Sequence, residues 1–119
     1  MESDRFERIN VEKPQLKVED GYTITEAIVG LNLGLCARPC CLISKESLNY
    51  ARDIFLEYEG NKVNAKSIMS LLTLGAAVGT KIQIFVEGDD NLAEEMTLKL
   101  YSGLTTKADI YPCFYRFKK

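Results

Sequence analysis

Residues 34–46 read "GLCARPCCLISKE", with a cysteine, an arginine and a proline at positions 36, 38 and 39. A glycine precedes them and an apolar run follows, which marks a chain turning into a helix. Amides in the first turn of a helix have no intrahelical acceptor and lie at the positive end of its dipole. Such a helix start can hold an anion. Cys36 at its mouth offers a nucleophile, and Arg38 offers a charged donor to anionic oxygens. Pro39 fits there because the amide it lacks would be idle in a first turn. The chain contains no histidine, so imidazole chemistry is unavailable to it. A second residue of interest is Ser67, which follows Lys66 where another helical stretch begins. Taken alone, a serine in that position reads as an N-cap.

The other cysteines limit the alternatives. Cys36, Cys40 and Cys41 fall within six residues and Cys113 stands apart, which does not make a disulfide framework. No paired C-x-x-C spacing and no histidine are present to build a zinc site, so no metal is expected. Fifteen basic against 17 acidic residues leave a net charge of −2, without the basic stripe that a nucleic-acid partner needs. The opening "MESDRFERIN" alternates charge and carries no apolar signal region, and no apolar run approaches the length of a membrane span. The expectation is a cytoplasmic protein with reduced thiols and no membrane insertion.

At 119 residues and 46% hydrophobic, the chain suits a single core. Residues 1–21 are polar and contain Pro14 and Gly21, and read as a loosely held extension. "YTITEAIVG" (22–30) predicts a strand, and residues 37–48 predict a helix with Cys40, Ile43, Ser44 and Ser47 on one face. "RDIFLEYEGNKVNA" (52–65) predicts two strands about a turn at Glu59-Gly60-Asn61. "KSIMSLLTLG" (66–75) predicts a short helix ended by Gly75. "GTKIQIFVEG" (79–88) alternates Ile82, Ile84 and Val86 as a strand does, and residues 89–104 predict a helix with Leu92, Met96 and Leu100 as its apolar stripe. The order β-α-β-β-α-β-α implies an α+β sandwich, with helices on one face of a mainly antiparallel sheet.

These stretches resemble HPr, the small phosphocarrier of the bacterial phosphoenolpyruvate-dependent sugar phosphotransferase system. The likeness rests on "GLCARPCC", "NAKSIMSLLTLG" and "VEGDD" and runs from about Thr23 to Thr105. It implies an HPr-like open-faced β-sandwich over residues 22–106, with four mainly antiparallel strands and three helices on one face. By position, Cys36 stands where the family carries its phosphoryl-accepting histidine, and Arg38 and Pro39 match its Arg-Pro. Ser67 matches the serine that a dedicated HPr kinase phosphorylates in many bacteria. Ala37, Cys41, Lys45 and Leu48 on the first helix, with Ile68, Met69 and Leu72 on the second, match the partner surface. The implied partners are Enzyme I, the sugar-specific transferase subunits, HPr kinase and, in some lineages, a transcriptional regulator. No cofactor is called for.

Sulfur in place of imidazole nitrogen leaves several functions open. The resemblance leads first to the expectation of a regulatory paralogue that has lost carriage and acts through Ser67, as glutamine-bearing relatives do, rather than an enzyme. Alternatively it carries phosphate as phosphocysteine, since helix starts and a nearby arginine favour thiolate. The thiol is shorter than imidazole, which misaligns in-line transfer. A redox sensor pairing Cys36 with Cys40 or Cys41 and an inert replacement complete the set. Cys40, on the apolar stripe, reads as a packing residue, and so does Cys41, although it points with Ala37, Lys45 and Leu48. Residues 107–119, "KADIYPCFYRFKK", extend past the family's usual end and carry Tyr111, Phe114, Tyr115 and Phe117. They are expected to fold back over the sheet face that the helices leave open.

Overall fold

The computed structural model describes residues 14–31 and 34–105. Strands β1 (Lys17–Glu19), β2 (Tyr22–Ile28), β3 (Ile54–Tyr58), β4 (Asn61–Asn64) and β5 (Lys81–Glu87) alternate with helices α1 (Ala37–Leu48), α2 (Ile68–Leu72) and α3 (Asn91–Thr105). They form one sheet in the order β1-β2-β5-β3-β4, antiparallel at every pairing. β5 lies between β2 and β3, so the chain must cross the sheet through α1 before the last strand fills the gap. This is the α+β sandwich expected from the alternation of elements, in the open-faced form that the resemblance implies.

One strand was not expected. Within the stretch read as a loose extension, Lys17–Glu19 pairs with β2, with Glu19 opposite Tyr22. The two-residue link is Asp20-Gly21, both with positive φ (54° and 82°), the backbone of a type I′ hairpin turn. Thr25 Oγ1 also donates to the Gln15 carbonyl at 2.8 Å. The sheet therefore has five strands where four were anticipated. The β3–β4 hairpin uses the same device, with Glu59 (51°) and Gly60 (82°) between Tyr58 and Asn61.

The core forms where period-2 and period-3.6 patterns meet. Ala27, Ile54, Leu56, Ile82, Ile84 and Val86 point from the sheet toward the helices and are at most 1% exposed. Cys40 and Ile43 of α1, Leu71 of α2, and Ala93, Met96, Leu100 and Leu104 of α3 close over them. The stripe on α3 differs from expectation at one position. Leu92 is 61% exposed, because the first turn of α3 presents Ala93 to the sheet and turns its predecessor outward. Helix α2 is also shorter than the stretch 66–75, with Ser67 as N-cap and Thr73 as C-cap.

The "VEGDD" stretch is a structural clasp. Asp90 accepts from the Ala93 amide at the start of α3 and pairs with Arg52 at 3.2 Å. These contacts, the Ala93 amide first, hold the Asp90 carboxyl below its ordinary pKa. Arg52 lies 5.0 Å from the Tyr50 ring centre, and the Tyr50 hydroxyl donates to the Glu87 carbonyl. Gly88 adopts φ 120°, a conformation that side chains rarely adopt, which accounts for a glycine there. The expectation for residues 107–119 lies outside the described residues.

Candidate functional site

The loop leading into α1 is held by backbone contacts from a distant part of the chain. Gly34 adopts φ 72°, and a Cβ on it would lie 2.7 Å from the Ala76 carbonyl oxygen. That same oxygen accepts from the Leu35 amide at 2.9 Å, while the Gly34 amide donates to the Leu31 carbonyl at 2.9 Å. The next residue, Cys36, is thereby set as the N-cap of α1 with extended backbone (φ −105°, ψ −165°). Its carbonyl accepts from the Cys40 amide at 3.0 Å, and its half-buried side chain makes no capping hydrogen bond. The first-turn amides of Ala37 and Arg38 are thus not occupied by the thiol, and Pro39 has none to offer. Arg38 is exposed in the same turn.

The neighbouring thiols have different surroundings. Cys40 is fully buried, and its Sγ lies 3.9 Å from the Leu35 carbonyl oxygen. Burial first, then the nearby Cys36 and Cys41, push its pKa from 9.0 up to about 11. Cys41 is exposed. Below pH 9 the Cys40 thiol is neutral whether the chain is folded or not. Between pH 9 and about 11 the unfolded chain releases this proton and the folded one keeps it, so stability falls as pH rises through that window. Urea titrations from pH 8 to 11 should show a loss of about 2 kcal/mol that Cys40→Ala removes. An unchanged alkaline slope in that variant would assign the loss to other groups.

Ser67 occupies the start of α2, where its Oγ accepts from the Ser70 amide at 3.2 Å. Its own amide donates to the Asn64 carbonyl at 3.1 Å, and Asn64 Oδ1 accepts from the Lys66 amide at 2.9 Å. Two long-range contacts then fix this corner to α1 and the turn after it. Ser44 Oγ donates to the Lys66 carbonyl at 2.9 Å, and Lys66 Nζ donates to the Tyr50 carbonyl at 2.7 Å. Sequence reading passed over Ser44 and Lys66 as linkers. A serine on a buried stripe, which must find an acceptor, was the signal that could have revealed the first.

The two packed helices present their other faces to solvent. Ala37, Cys41, Lys45 and Leu48 are exposed on α1, with Leu48 at 63%. On α2, Met69 is 74% exposed and Ile68 and Leu72 are each 39%, while Leu71 is fully buried, as Leu74 just past the helix nearly is. Among the described residues no group of His, Cys, Asp or Glu side chains could hold a metal ion, and no helix is long and apolar enough to cross a membrane.

Comparison with known proteins gives one family. Residues 24–101 match the family described as PTS HPr component phosphorylation site. The HPr-like protein Crh of Bacillus subtilis (strain 168) is 45% identical over 62 residues, covering 52% of this chain and 73% of Crh. The crystal structure of phosphocarrier protein HPr from Bacillus anthracis superposes with a TM-score of 0.66 at 38% identity, covering 71% of this chain and 99% of that one. The crystal structure of the Bacillus subtilis catabolite repression containing protein Crh has a TM-score of 0.56 at 36% identity, covering 81% and 98%. The matched region takes in most of β2, all of β3, β4 and β5, both helices that carry the candidate site, and most of α3, so the chain belongs to the HPr phosphocarrier family of the phosphotransferase system.

Proposed function

We propose that this chain is a regulatory HPr-type protein of the sugar phosphotransferase system, acting in the cytoplasm through phosphorylation of Ser67. In this reading position 36 does not relay phosphate, because cysteine replaces the histidine of the phosphocarriers. The observation that carries the proposal is the setting of Ser67. Ser67 is partly buried at a helix start, fixed to α1 through Lys66 and Ser44, and followed directly by the exposed Ile68 and Met69. A phosphate there brings about two negative charges and keeps an oxygen for the Ser70 amide. It changes the charge of the docking surface without melting the helix. Likeness to Crh, described in one relative as a catabolite repression protein, agrees with a regulatory role. HPr kinase is the modifying partner in this scheme, and Enzyme I, the sugar-specific transferases or a transcriptional regulator are the proteins that read the surface.

A second reading, carriage as phosphocysteine, draws on the thiol at a first turn whose amides it does not cap, with Arg38 beside it. Two labelling reactions separate the readings. With HPr kinase and labelled ATP, label is expected on Ser67 and absent in Ser67→Ala. That variant loses about 1 kcal/mol of cap stability and is checked for folding by circular dichroism. With Enzyme I and labelled phosphoenolpyruvate, no label is expected. Label that disappears in Cys36→Ala would overturn the regulatory reading in favour of phosphocysteine.

A further inference from the structure

The sheet face away from the helices carries an ordered apolar row. Cross-strand register places Ile24 opposite Phe85, and Phe85 opposite Phe55. Tyr22 joins the row at 6.2 Å between its ring centre and that of Phe55. Lys62 reaches over from β4, with Nζ 4.1 Å from the Phe85 ring centre. Ile24 is only 6% exposed, although it stands outside the core cluster beneath the helices. Acidic residues flank the row on both sides in the same register. Glu19 and Glu87 pair with Tyr22 on one side, and Glu26 and Glu57 both pair with Gln83 on the other. Among the described residues, Lys17, Lys62 and Lys81 are the basic ones in this register.

We propose that the aromatic segment 107–119 of this same chain folds back across the open sheet face and covers the Ile24–Phe85–Phe55 row. Its composition complements that row. Tyr111, Phe114, Tyr115 and Phe117 supply four of the chain's eleven Tyr and Phe side chains, and Lys107, Arg116, Lys118 and Lys119 face only Asp109 in charge. Rings fit the apolar row and the cations fit the carboxylates on either side of it. The point of departure also suits. α3 ends at Thr105, and the Leu104 carbonyl accepts from the Gly30 amide at 2.8 Å, just past the end of β2. An extended chain advances about 3.3 Å per residue. The residues preceding Tyr111 can therefore round the sheet end near Ile28, and those that follow can run back the four residues to Ile24. The opening segment is the poorer occupant, since "MESDRFERIN" holds one aromatic side chain among five charged ones.

The test uses the full, unmodified chain. Nuclear Overhauser contacts are measured between the rings of Phe114, Tyr115 or Phe117 and the side chains of Ile24, Phe55 or Phe85. Mixed isotope labelling distinguishes contacts within one molecule from those between molecules. Contacts within one molecule are expected. Replacing Phe114, Tyr115 and Phe117 together by serine is then expected to raise binding of an apolar dye several-fold and to lower Tm. Three results overturn the proposal: tail rings with no contact to the sheet, contacts only between molecules, which make the occupant a second copy, and cover of the row by residues 1–13. Unchanged dye binding and Tm in the triple variant would overturn it as well.

Discussion

Cys36→His is expected to accept labelled phosphate from Enzyme I and phosphoenolpyruvate, where the unaltered chain is expected to accept none. The scaffold around position 36 supports this expectation. The Leu35 amide is tied to Ala76, the Cys36 carbonyl opens the α1 ladder, and Arg38 shares the first turn. None of these contacts uses the thiol. Imidazole on the same backbone reaches farther than sulfur, and phosphoryl transfer depends almost entirely on positioning and charge stabilisation. A displacement of about 1 Å at the reacting atom costs on the order of 100-fold in rate, so a rise of at least that size should separate the two proteins. Filter-bound label over a time course measures it. A folded Cys36→His chain that stays unlabelled would mean that more than the nucleophile has been lost. Labelling of the unaltered chain would remove the premise.

Gly34→Ala is expected to cost the fold more than any other glycine substitution near the site. Two penalties coincide there. A φ of 72° is a conformation that side chains rarely adopt, and the new Cβ would lie 2.7 Å from the Ala76 carbonyl and 3.1 Å from Ala77 Cα. Both neighbours are backbone, so neither can swing aside. The left-handed conformation alone costs about 1–2 kcal/mol, and the collision should bring the total to roughly 3 kcal/mol or more. For a domain of this size that corresponds to a fall in Tm of about 12 °C or more. Gly75→Ala is the control. It shares a positive φ of 59° but has nothing within 4 Å of the added carbon, so only the conformational share should appear, about 1–2 kcal/mol. Equal losses in the two variants would show that the approach to Ala76 is not tight.

The hydrophobic patterns were enough to place most elements. α1 ends at the residues its periodicity indicates, and the alternation of Ile82, Ile84 and Val86 marks β5. Short-range chemistry was less fully used. Asp20-Gly21 is a strong hairpin signal, yet the short, charged strand before it, Lys17–Glu19, lacks the apolar run that usually identifies a strand. Leu92 misled because three apolar residues at helical spacing do not say which turn first meets the sheet.

What the residues determine by themselves is local: turn chemistry at Glu59-Gly60, a helix start at Cys36 with a thiol and an arginine in it, and a cappable serine at Ser67. Folding alone decides what those features face. Ala76 is 42 positions from Gly34 yet sets its backbone, and Lys66 is 22 positions from Ser44 yet accepts its hydroxyl. Register alone brings Ile24, Phe85 and Phe55 into one row. The physical reason is that dihedral preference and periodicity act over a few residues, whereas a carbonyl or a ring finds its partner only when the whole sheet has paired.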